Sequence, residues 1–112
     1  MTGKPQRYAI VGMGYRKEVG AQGIVDQVAH HAEVELITEP SNQYDPNAVQ
    51  VWIDGVHVGF VPKTQNAVLA KFIRDKGDIT ERGMAMDEAI APRHIKARIH
   101  RGNSPVPLVE IA

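Results

Sequence analysis

The residues best suited to chemistry lie in one run, Asn42 to Thr64, which reads N-Q-Y-D-P-N-A-V-Q-V-W-I-D-G-V-H-V-G-F-V-P-K-T. Tyr44 and Asp45 fall among turn formers at its start. Two readings of Asp45 stand side by side. As an Asx-turn residue, its carboxylate bonds nearby backbone N–H groups. As a ligand group, the same carboxylate accepts a hydrogen bond from a hydroxyl. Tyr44 either plugs the edge of a core or offers a ring on which a nucleobase stacks. Tyr15, in a loop opened by Gly12 and Gly14, has the same two readings. Lys63 closes the run just before a helical pattern, either as a solvated cation or as a phosphate contact.

Other chemistries find little support. Five histidines are present, but none shows HxH, HxxxH or HExxH spacing. His30 and His31 are adjacent, so on a regular strand they point to opposite faces. No metal site is expected. There is no cysteine, no G-x-S-x-G and no P-loop. Gly12-Met13-Gly14 lacks the third glycine and the following helix of a dinucleotide fingerprint. No pair of acids has a spacing that demands catalysis. The expectation is a non-catalytic protein without a cofactor.

The elements that must position these groups follow from periodicity. Arg7 to Met13 reads as a first strand, and Ile24 to His31 is ambiguous, with an irregular segment as one reading. Glu33 to Ile37 alternates acid and aliphatic residues, the pattern of a half-buried strand. Asp54-Gly55 predicts a type I′ hairpin turn. A two-residue loop pairs Ile53 with Val56, Trp52 with His57, Val51 with Val58, and Val49 with Phe60. Val49, Val51, Ile53, Val56, Val58 and Phe60 then form one apolar face. Gln50, Trp52, His57 and Gly59 form the other. Asn66 to Lys76 predicts a helix with Leu69, Phe72 and Ile73 on its apolar face and Gly77 as its stop. A further strand is expected within Asp78 to Met86, turning at Arg82-Gly83. Ile95, Ala97 and Ile99 predict a strand with Lys96 and Arg98 outward. Gly102 to Pro105 reads as a turn and Val106 to Ile111 as a last strand. About six strands and one clear helix in so short a chain predict a mainly β fold, a small, curled or barrel-like sheet.

At 112 residues the chain is expected to form one domain, residues 1–112. Absence of cysteine fits a reducing, cytoplasmic location. No signal peptide or membrane span is read, so no membrane association is expected. The formal net charge is zero, which argues against an all-over basic nucleic-acid binder. Basic residues nevertheless cluster in two blocks, Lys4 to Lys17 and Arg93 to Arg101. If the first and last strands are neighbours, these blocks form either one basic face or ordinary solvated charge.

The run E-P-S-N-Q-Y-D-P-N-A-V-Q-V, then D-G-V-H-V-G-F-V-P-K, then the helix with L-A-K-F-I, resembles the HIRAN domain family. Upstream, Y-A-I-V-G-M-G-Y resembles the family's opening strand and loop. The resemblance implies a modified OB-like barrel that captures the 3′-hydroxyl end of single-stranded DNA. Its members are modules of DNA-remodelling helicases or stand-alone domains, which makes a helicase or other DNA-processing protein an expected partner and DNA repair an expected setting. Carried over by motif position, the DNA-binding residues are Tyr15 and Tyr44 for bases, Asp45 for the hydroxyl and Lys63 for phosphate. The family's arginine before the first-loop tyrosine falls here on Gly14, and Arg16 is its candidate replacement. Phe60 stands where a polar residue is expected, and Ala89 where an aromatic is expected. The alternative is a protein-interaction or adaptor domain on the same fold.

Overall fold

The computed structural model describes residues 6–80, 91–102 and 106–111. In chain order the elements are β1 (Gln6–Tyr8), a 3-10 helix (Met13–Val19), α1 (Ala21–Gln27), β2 (Glu33–Thr38), β3 (Val49–Ile53), β4 (Val56–Phe60), α2 (Asn66–Lys76), β5 (Asp78–Ile79), β6 (Arg93–His100) and β7 (Leu108–Ile111). The strands form one antiparallel sheet in the order β1-β7-β6-β2-β3-β4, with β5 also pairing to β6. The sheet curls into a half-barrel of the OB-like kind. Val11 and Phe60 exchange two backbone hydrogen bonds of 2.8 Å, tying the edge of β4 to the chain just after β1.

The concave face holds the core. Val34 and Leu36 of β2, Val49, Val51 and Ile53 of β3, and Ile99 of β6 are buried against Leu69 and Ile73 of α2. Burying each such side chain is worth about 1.5–3 kcal/mol, which sets which face of each strand turns inward. Lys96 and Arg98 remain outside, as the alternation predicted. Among the described residues, no helix is long and apolar enough to cross a membrane.

The hairpin turn forms as read, with Asp54 at φ 51° and Gly55 at φ 77°. Its register holds for Ile53–Val56 and Trp52–His57, then shifts. Val51 pairs with Gly59 and Gln50 with Phe60, so Val58 is an extra residue on β4. Such a bulge reverses the parity of every later residue. Phe60 therefore leaves the predicted core face and joins Gln50, Trp52 and His57, with its ring edge-on to the His57 imidazole at 4.9 Å. The cause is the strand that crosses behind. A Cβ at Gly59 would sit 2.5 Å from the Val11 carbonyl oxygen, so only glycine lets that backbone approach.

Other expectations change. The first strand is shorter than Arg7 to Met13, because Gly12 at φ 86° breaks it and a 3-10 helix follows. The ambiguous segment, Ile24 to His31, begins in α1. Ala21, Ile24, Val25 and Val28 lie at i, i+3, i+4 and i+7, a stripe that Gly23 interrupts. In α2, Leu69, Ala70 and Ile73 are buried but Phe72 is 41 % exposed. Gly77 ends α2 in an extended conformation, and its lack of a side chain serves another need, since a Cβ would lie 2.6 Å from the His94 carbonyl oxygen. Of the strand expected in Asp78 to Met86, Asp78–Ile79 forms β5, while the turn at Arg82-Gly83, like Ala89, lies outside the described residues. The last strand starts at Leu108 rather than Val106, and most of the Gly102 to Pro105 turn also lies outside them.

Candidate functional site

Asp45 is pinned from two sides. Its Oδ1 accepts the Asn47 N–H at 3.0 Å, which is the expected Asx-turn. Its Oδ2 accepts the Asn66 side-chain amide at 2.8 Å. Asn66 opens α2 and is only 2 % exposed, so the bond fixes the turn to the helix start. Upstream, Asn42 Oδ1 accepts the N–H groups of Tyr44 (2.8 Å) and Asp45 (2.9 Å). The carboxylate remains half-buried, and each of its oxygens has room for another hydrogen bond.

Tyr44 is 90 % exposed and Tyr15 is 92 % exposed. Neither plugs a core, and both present bare rings to solvent. Tyr15 lies in the 3-10 helix, whose approach is set by the Val11–Phe60 bridge. Beside it, Arg16 is half-buried and its Nε donates to the His57 carbonyl at 2.6 Å. Lys63 is exposed in the short turn between β4 and α2.

Topology places Tyr44, Asp45 and Lys63 around one end of the β3–β4 hairpin, opposite Asp54-Gly55. Tyr44 and Asp45 precede β3, Lys63 follows β4, and Asn66 ties the two segments together. Arg16 reaches β4 from the other side. Among the described residues, no hydrogen bond or ring contact joins the Tyr15 side chain to the other four. Asn42 and Asn66 escaped the sequence reading. Asn42 was one turn former among several. Asn66 has no local signal, since only the fold reveals its partner.

Next to Tyr44 lies an open groove of about 730 Å³, lined in part by Glu39, Asn42, Gln50, Trp52, His57 and Pro92. The Trp52 and His57 rings lie nearly parallel, with an angle of 11° and centroids 5.5 Å apart. Partial burial holds the His57 imidazole below its ordinary pKa, and the Arg16 charge adds to this; the hydrogen bond to the Gly59 carbonyl opposes both. Neutral imidazole is thus the resting form at pH 7.

Among the described residues, β1 and β7 are neighbours, and most cations of the two basic blocks have partners. Arg7 pairs with Glu110 at 2.8 Å and Lys96 with Glu33 at 3.8 Å. Arg93 and Arg98 donate to the carbonyls of Gly77 and His31. Arg101 donates to those of Val25, Asp26 and Val28. These cations are engaged in holding the fold. His30 and His31 do not lie on a strand, His31 has φ 70°, and their rings stack at 3.8 Å on the same side. Among the described residues, no cluster of histidines and acids could hold a metal ion.

Comparison with known proteins agrees with this picture. No curated protein matches the chain. A crystal structure of a protein from Lactobacillus plantarum aligns with a TM-score of 0.60 at 17 % identity, covering 95 % of this chain and 90 % of that one. That likeness shows a shared fold. The family profile described as the HIRAN domain matches residues 5–99, a span that holds the Tyr44–Asp45 turn, the bulged hairpin and α2. The chain belongs to the HIRAN domain family, a family of nucleic-acid-binding modules.

Proposed function

We propose that this domain is a non-catalytic module that captures the 3′-hydroxyl end of single-stranded DNA. The observation that carries the reading is a carboxylate, Asp45, held rigid by Asn47 and Asn66 beside the bare ring of Tyr44. A terminal hydroxyl donates a hydrogen bond, and a carboxylate is a suitable acceptor. An internal nucleotide brings a phosphate to the same place, and the two anions repel. One aspartate thus selects ends over interiors. Tyr15 and Tyr44 supply stacking worth about 1–3 kcal/mol per base with little sequence preference. Lys63 meets a phosphate, and Arg16 keeps guanidinium donors beyond its bond to His57 for the same purpose. With Arg7, Arg93, Lys96, Arg98 and Arg101 engaged, the domain binds through a few contacts, not a broad electrostatic surface. It acts by occupying an end or by bringing a helicase or other DNA-processing partner to it.

A second reading, an adaptor for another protein, draws on one observation. Val68 and Phe72, one turn apart on α2, are 78 % and 41 % exposed. The test is fluorescence anisotropy with labelled oligo-dT carrying either a 3′-hydroxyl or a 3′-phosphate at low salt. Tighter binding to the hydroxyl end is expected. Equal binding, or none, removes the end-capture reading and leaves the α2 surface as the place to seek a partner.

A further inference from the structure

The groove beside Tyr44 is built from one continuous network. Asn42 bonds the backbone of Tyr44 and Asp45 through its Oδ1 and donates its amide to Glu39 at 2.9 Å. The other Glu39 oxygen accepts the Gln50 amide. Gln50 Oε1 in turn accepts the Trp52 indole N–H at 2.7 Å. Trp52 lies parallel to His57, and Phe60 supports the far edge of His57. The turn that carries Tyr44 and Asp45 is thereby tied to the Trp52 ring by a chain of side chains as well as by its backbone bonds. The β4 bulge completes the arrangement, because without it Phe60 would face the core.

We propose that the Trp52–His57 pair in this groove is a seat for a nucleobase of the strand whose end is captured; this rests on the end-capture reading above. Charge and shape select the occupant. Among the described lining residues, Glu39 is the one ionised group, so a phosphate is disfavoured there and an uncharged flat ring is not. The neutral ring pair offers an aromatic surface, while Asn42 and Gln50 bring amide groups to the rim for base edges. The phosphates then run outside the groove, towards Lys63 and Arg16. The seat uses residues distinct from Tyr15, Asp45 and Lys63.

Trp52 is the sole tryptophan of the chain, so its fluorescence reports this groove directly. The experiment titrates the intact domain with oligo-dT of about six nucleotides bearing a 3′-hydroxyl. Tryptophan emission and the anisotropy of a labelled 5′ end are followed together. Parallel titrations use oligonucleotides with one abasic residue at each of the last positions in turn. The intact strand is expected to quench Trp52. One abasic placement is expected to abolish quenching and weaken binding roughly 5- to 150-fold, the range for loss of one stacked base. Trp52→Phe retains a ring and is expected to keep this sensitivity, whereas Trp52→Leu loses it. End binding without any change in Trp52 emission, or with equal affinity for every abasic strand, overturns the seat and leaves end capture standing. Quenching by hydroxyl and phosphate ends alike keeps the seat and removes the role of Asp45. Absence of DNA binding in any form overturns both.

Discussion

β3 lies between two turns that each contain an aspartate, and the two turns are built by different means. At the hairpin end, Asp54-Gly55 reverses the chain through backbone dihedrals alone, with φ of 51° and 77°, and both residues are exposed. At the other end, the Asn42–Asn47 turn adds side chains to its backbone bonds: Asn42 bonds two backbone N–H groups, and Asp45 bonds Asn47 and the helix residue Asn66. A turn made from backbone needs little from its side chains and only connects. A turn made from side chains immobilises the polar groups that form it, so a ligand meets them already ordered. The difference leaves ordered polar groups at one end of β3 and a simple chain reversal at the other.

The largest expected effect attacks the side-chain turn. Asp45→Ala leaves the buried Asn66 amide without its partner, which costs about 1–3 kcal/mol in chemical denaturation. The same change should erase the preference for a 3′-hydroxyl over a 3′-phosphate. Asp45→Asn, which keeps an acceptor for Asn47, separates the two effects by sparing more of the stability. Next in size, Gly55→Ala forces a side chain into a left-handed conformation and should cost about 1–2 kcal/mol. DNA binding should be unchanged once the variant is folded; a loss of affinity there would erase the distinction between the turns. Lys63→Ala should leave the melting transition in place and flatten the salt dependence of binding by ~0.7 in slope. An unchanged slope puts Lys63 outside the site.

The smallest effect concerns pH. The pKa of His57 is depressed in the folded state, chiefly by burial. Its contribution to stability is therefore present above the unfolded value near about 6.5 and is lost as pH falls through the folded value. Stability measured between about pH 7 and 5 should fall less steeply in His57→Gln. His30 is shifted in the same direction, first by desolvation and then by the charges of His31 and His100, so its own contribution should persist in that variant. An unaltered slope would show that His57 titrates alike in both states.

Features governed by neighbours in sequence were legible in advance. The Asp54-Gly55 turn, the alternation of β6 and the extent of α2 each follow from residues a few positions apart. The Tyr44–Asp45 turn was legible as a turn for the same reason. The β4 bulge was not, because its cause is the Val11 backbone crossing Gly59 from far along the chain. With the bulge went the placement of Phe60. Asn66 was read only as a helix start, since nothing near it announces Asp45 as its partner. Phe72 fitted the helical period yet lies outside, because the sheet covers only the narrower stripe through Leu69, Ala70 and Ile73. The motif residues were legible by resemblance, whereas the Glu39–Gln50–Trp52 network needed coordinates.

The pairing of β1 with β7 has a consequence for how the chain acquires its shape. Gln6, Arg7 and Tyr8 find their sheet partners only at Ile111, Glu110 and Val109. During vectorial synthesis the hairpin, β2 and α2 can assemble as they emerge, but the first strand stays without its ladder until the last one leaves the ribosome. In that interval the Val11–Phe60 bridge is the sheet contact that ties the segment bearing Tyr15 to the nascent barrel. The segment bearing Tyr15 is thus attached to β4 first and gains its second anchor, β1 against β7, when the closing strand is in place.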